Sequence, residues 1–212
     1  MSKRPNPSSL GANNTPAKRR ITRKSRPEIE RVKIDPDGDL SLILAKGKRK
    51  ANIEVHVLVS SKHMTLASSV FKAMLAPNHF QEGTTLALSG KAEISLPDDD
   101  TEAFVVLLNV IHARSKFIPS TVSLEQLTKI AVLVDKYRLH GAVSICTDLW
   151  VQRVESSRYC YYHLHISQWL CICWVFQKKV LFRSVTEQAI TESAKGLTDS
   201  MENLPTPKQI IG

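Results

Sequence analysis

Two short runs carry an apolar residue at every second position: Leu40, Leu42, Leu44, and then Ile53, Val55, Val57, Val59. Side chains of an extended strand point alternately to opposite faces, so a period of two demands a sheet with one buried face. Glu54 and His56 fall on the other face. The polar connector Lys46-Gly47-Lys48-Arg49-Lys50 separates the runs, and together they read as an antiparallel hairpin. Ahead of them Val32 and Ile34 start the same pattern, and Asp35-Pro36-Asp37-Gly38-Asp39 supplies turn chemistry. Glu93-Ile94-Ser95-Leu96 reads as a third strand.

Elsewhere the apolar period lengthens to three and four, the spacing of an amphipathic helix. Leu66, Val70, Phe71, Met74 and Leu75 form one such region, which Pro77 ends. Residues 78–92 read as a loop, with a short edge strand near Leu86–Leu88. Asp98-Asp99-Asp100 opens a helix carrying Phe104, Leu107, Leu108 and Ile111, where acidic side chains cap free amides. Ser123 with Gln126 three residues on begins another as a capping box. Its apolar face is Leu124, Leu127, Ala131, Val134 and Tyr137, with Gly141 as its stop. A further helix runs from about residue 142 to 154, and two more follow between 160 and 195. Trp169 and Trp174, five apart, fall on different faces of the first of these, leaving one for a groove or contact surface. The order is strands, helices, one strand, then helices only. That order predicts an α/β (α+β) fold with a helical C-terminal extension.

Charge divides the chain. Residues 1–33 hold ten Lys and Arg against two Glu, while the chain as a whole has 29 basic and 20 acidic residues. The rest is therefore nearly neutral, and the basic excess belongs to the N-terminus. Residues 1–31 are rich in Pro, Ser, Asn, Lys and Arg without apolar periodicity. They are expected to form a disordered arm, because they cannot bury enough surface to offset the entropy of ordering. The tail from about residue 196 holds two prolines and is expected to be flexible. The N-terminus lacks an apolar leader segment, and the four cysteines show no paired framework. The longest apolar run, Trp169–Phe176, is far short of the ~20 residues that span a bilayer. These features predict a nuclear or cytoplasmic protein with no membrane association.

The runs IDPDGDLSLIL (34–44), VHVLVSSKHMTLASSVFKAML (55–75), EISLPDDDTEAFVVLLNVIH (93–112) and LEQLTKIAVLVDKYRLHGAV (124–143) together resemble the BTB/POZ domain in its divergent fungal form. The likeness covers residues 32–150, and the helical stretch 151–195 resembles the extension of those fungal relatives. It implies a small sheet flanked by a helical cluster and no catalysis. It also implies protein binding as the activity: self-association, or adaptor docking onto a cullin-type ubiquitin ligase scaffold. By the same resemblance the interaction face lies on the helices near 66–75 and 101–113, with Leu66, Val70, Met74, Phe104 and Leu108 as candidates. His63 lies near the family's histidine-lysine pair at the first helix, but it is expected to be a partly buried helix-start residue. Many animal members carry a strand ahead of the domain that swaps between protomers. Here the basic arm takes that place, so a strand-swapped dimer is not expected.

No other constellation supports chemistry. Asp35, Asp37 and Asp39 do not make a calcium loop. An EF-hand needs glycine sixth and glutamate twelfth, whereas glycine stands fourth and Lys46 twelfth. Asp98, Asp99 and Asp100 read as helix capping rather than paired catalytic carboxylates. Cys160, His163, His165, Cys171 and Cys173 lack the spacing of zinc knuckles and any third group to orient a Cys-His nucleophile. No phosphate loop, G-x-S-x-G elbow or HExxH helix occurs. The expectation is no enzyme and no catalytic, cofactor or metal site. Lys18, Arg19, Arg20, Arg23, Lys24 and Arg26 form the one notable polar cluster. It fits a nuclear import signal, a phosphate-contacting nucleic-acid arm, or a solvated tail. A second functional reading follows from it: a transcription or chromatin factor whose arm touches DNA.

Overall fold

A computed structural model of the chain describes residues 28–46, 53–156, 165–192 and 205. Its sheet contains β1 (Glu28–Lys33), β2 (Leu40–Lys46), β3 (Ile53–Val59) and β4 (Ala92–Leu96), in the order β1-β3-β2-β4. As the alternation requires, β2 and β3 pair antiparallel, and Leu40, Leu42 and Leu44 lie opposite Val59, Val57 and Val55. All six are at most 2% exposed. Parallel β4 sets Ala92, Ile94 and Leu96 beside the same three leucines. The β3–β4 connection holds three helices, α1 (Ser61–Ala67), α2 (Ser69–Met74) and α3 (Gln81–Ser89), and carries the chain past β2 to the far edge of the sheet. Then come α4 (Thr101–Ile111), α5 (Leu124–Tyr137), α6 (His140–Glu155), α7 (Ile166–Val175) and α8 (Lys179–Glu192). The fold is α+β, with one continuous core from Ile34 to Ala189.

Several boundaries differ from expectation. Residues 28–31, assigned to the arm, begin β1, which runs parallel to β3. Ladder bonds use backbone groups only, so an unpaired edge of β3 recruits this charged segment despite its composition. Residues 78–92 are not a loop with a strand but contain α3. Gly90 closes that helix in the left-handed conformation (φ 71°), and Gly83 packs so tightly that a Cβ there would stand 2.3 Å from the Ala76 carbonyl oxygen. The region 64–75 is two helices, broken at extended, buried Ser68. Its hydroxyl accepts from the Phe71 amide and donates to the Tyr137 carbonyl. Gly141 does not stop α5. Arg138 turns the chain left-handed (φ 54°), the Leu139 amide returns to the Val134 carbonyl, and Gly141 lies in the first turn of α6. The boundary drawn at residue 150 falls inside α6, and α7 packs against α5. The extension therefore belongs to the same body.

Candidate interaction surface

Helix α1 is held at its start by a carboxylate. Asp39 accepts 2.7 Å bonds from both the Ser61 amide and the Ser61 hydroxyl. Burial pushes the Asp39 pKa up, but these two bonds, together with its own backbone amide and the nearby Lys62 ammonium, outweigh it and leave the group below its ordinary value. At the other end, Ser68 ties the start of α2 to the last residue of α5. The helix pair is thus fixed to the sheet and to the helical layer. Met64 and Phe71 point inward and are fully buried. Leu66 points outward and is 89% exposed. Val70 and Met74, four apart on α2, form a half-buried row packed against the core, across the break at Ser68 from Leu66.

Two predicted members of this surface are not on it. Phe104 and Leu108 are fully buried. They belong with Ala103 and Leu107 to the face of α4 that covers the core, and Phe104 stacks on Tyr137 at 5.3 Å between ring centroids. The outer side of α4 carries exposed Glu102 with half-buried Val106 and Val110. Val106 and Val110 share the spacing of four shown by Phe104 and Leu108, so apolar periodicity alone does not separate the inner face from the outer.

Where α1 begins, His63 stacks on His112 with centroids 4.8 Å apart. His112 accepts from the Ser60 amide through Nε2 (3.1 Å) and donates from Nδ1 to the Leu108 carbonyl (2.9 Å). Both ring nitrogens are engaged in the neutral form. Burial, reinforced by His63, holds the His112 pKa below its ordinary value against the pull of the Leu108 carbonyl.

The remaining candidates resolve as structure. Asp100 caps α4 by accepting from the Ala103 amide, and Ser123 caps α5 by accepting from the Gln126 amide. Asp99, read as a capping residue, is instead buried. It accepts from the Tyr137 hydroxyl and, at 2.5 Å, from the Lys136 ammonium. Burial and this carboxylate push the Tyr137 hydroxyl well above its ordinary pKa. Asp35 folds onto the Asp37 amide while Asp39 turns to Ser61, so the three aspartates do not converge. Cys171 and Cys173 are buried thiols, each pushed up to about 12, mainly by burial, which keeps them protonated and unreactive. Trp169 is fully buried and Trp174 is 49% exposed, the split their spacing predicts. Among the described residues no group of three His, Cys, Asp or Glu is placed to hold a metal ion, and no helix is long and apolar enough to cross a membrane. Cys160, His163 and the cluster Lys18, Arg19, Arg20, Arg23, Lys24 and Arg26 lie outside the described residues. Compared with known proteins, the chain matches no protein-family model and no curated sequence.

Proposed function

We propose that the chain is a protein-docking adaptor built on a BTB/POZ-like domain, with the α1–α2 surface as its contact face. The exposure of Leu66 carries this reading. A leucine 89% exposed on a seven-residue helix pinned by Asp39 and Ser68 gains ~1.5–3 kcal/mol from burial against a partner. Its rigid support means that docking costs little reordering. The neighbouring row Val70–Met74 and the α4 pair Val106–Val110 supply half-buried apolar surface of the kind that surrounds an anchor. The occupant is a second copy of the chain or a cullin-type scaffold.

The test is Leu66→Glu in the full chain. Folding stability changes by less than ~0.5 kcal/mol, because the side chain touches solvent. Self-association, measured as mass by light scattering, or recovery of a cullin scaffold by affinity capture, falls at least roughly ten-fold. Unchanged mass together with unchanged capture overturns the assignment of this face.

A further inference from the structure

A cleft of about 710 Å³ opens where four helix ends meet: the end of α5, the start of α6, the end of α7 and the start of α8. Trp174 and Phe182 line it, with centroids 6.4 Å apart and planes tilted 47°, and Cys173 and Val175 add further apolar wall. Its polar lining is unbalanced. The basic Arg138 and Lys179 stand there with His140, against one acid, Asp135, whose carboxylate is 3.8 Å from Arg138. Two residues of the lining, Arg138 and Gln177, hold left-handed backbone (φ 54° each) without being glycine. Such conformations persist only where surrounding packing over-determines them, so the cleft is a built feature of the helix junction.

We infer that this cleft binds a short acidic peptide segment of a partner protein, one that rests a single large apolar side chain on the packed Trp174–Phe182 pair and sets its carboxylates against Arg138 and Lys179. The two rings pack against each other and offer one apolar platform for a single side chain. Tryptophan and arginine are the residue types that dominate binding energy at protein contacts, and arginine pairs with carboxylates through two parallel bonds. The excess of positive charge selects an acidic segment and repels a basic one. The cleft is formed by different helices from the α1–α2 surface, so this inference stands apart from the proposed function.

The probe is a fluorescein-labelled peptide of glutamates and aspartates around one phenylalanine, titrated with the full chain by fluorescence anisotropy at about 150 mM salt. Binding is expected at roughly 1–100 μM. A peptide with alanine for phenylalanine, and one with lysines for the acids, bind at least roughly ten-fold more weakly. Trp174→Ala and Lys179→Glu, checked for unchanged melting temperature, each weaken the parent peptide by roughly ten-fold, while Leu66→Glu leaves it unchanged. Four outcomes overturn the inference. The peptide binds Trp174→Ala as tightly as the wild type, which assigns binding to the basic arm. It shows no binding at all. A single-stranded oligonucleotide displaces it from the wild type but not from Trp174→Ala. Or Trp174→Ala converts a dimer to a monomer, which assigns the cleft to a second copy.

Discussion

Single residues in this chain do work that their neighbours in sequence do not announce. The caps Asp100 and Ser123 were legible, because a cap acts on amides three residues away. The burial of Asp99 was not, because Tyr137, which completes its site, lies 38 positions on. His112 belongs to the same class: its two bonds and its stack with His63 join α4 to the start of α1. Asp35 raises its pKa, while Arg114 and His63 lower it. With burial dominant, the folded value lies below 6.5, so the folded state binds fewer protons than the unfolded chain. The stability this group contributes is complete above pH 6.5 and is lost as pH falls from there through the folded pKa. Melting temperature measured between about pH 8 and pH 5 falls on the acid side, and His112→Gln flattens that fall. An acid limb unchanged in the variant would show that His112 does not control it.

At the level of elements, strands buried on one face and helices with a strong apolar stripe were legible, since alternation or a three-to-four spacing survives any tertiary context. Two elements were not. In α3, Thr84, Thr85 and the alternating Leu86-Ala87-Leu88 suggest extended backbone. What decides it is the fit of Gly83 against Ala76 and the left-handed turn at Gly90. Charged β1 reads as solvent-facing arm because its pairing comes entirely from β3. β1 forms an edge of the sheet, and its charges protect it. Two copies of β1 pairing antiparallel are related by a two-fold axis normal to the sheet, so residues set opposite each other come from the same face. Every such register of Glu28-Ile29-Glu30-Arg31-Val32-Lys33 opposes like charges: Glu30 on Glu30, Arg31 on Arg31, Glu28 on Glu30, or Arg31 on Lys33. Like charges directly opposite destabilise a ladder, and charged edges deter edge-to-edge association. Glu30→Thr with Arg31→Thr is expected to produce higher-mass species in light scattering at concentrations where the parent chain shows none. A double variant with the mass profile of the parent would place the protection elsewhere.

Across the whole molecule, the mixed α+β class and the helical character of the C-terminal third follow from the sequence, and the packing of that third does not. Trp169, Leu170 and Ile172 of α7 are buried in the same core as the sheet, since an apolar helix must cover another apolar face and α5 provides one. A chain ending after residue 156 would lay that face of α5 open. It is expected to bind a hydrophobic dye and to lose the sharp thermal transition of the full chain, as a patch of several hundred Å² left exposed favours association. A truncated chain melting as sharply as its parent would restore the extension as a separate unit. The candidate docking surface was legible only in part. Leu66 is exposed and Val70 and Met74 are half-buried against the core, whereas Phe104 and Leu108 serve the interior.

The cationic segment of the chain is rooted in β1, and among the strands β1 pairs with β3 alone. Any tension on residues 1–27, from an importing receptor, a polyanion or an unfolding machine, therefore reaches the sheet first at Glu28. It travels inward along a single ladder of backbone bonds before it meets the fully buried leucines. Local opening begins where few apolar contacts resist it. That outer ladder is the mechanical fuse of the molecule, able to part and re-form while the leucine layer behind it stays shut.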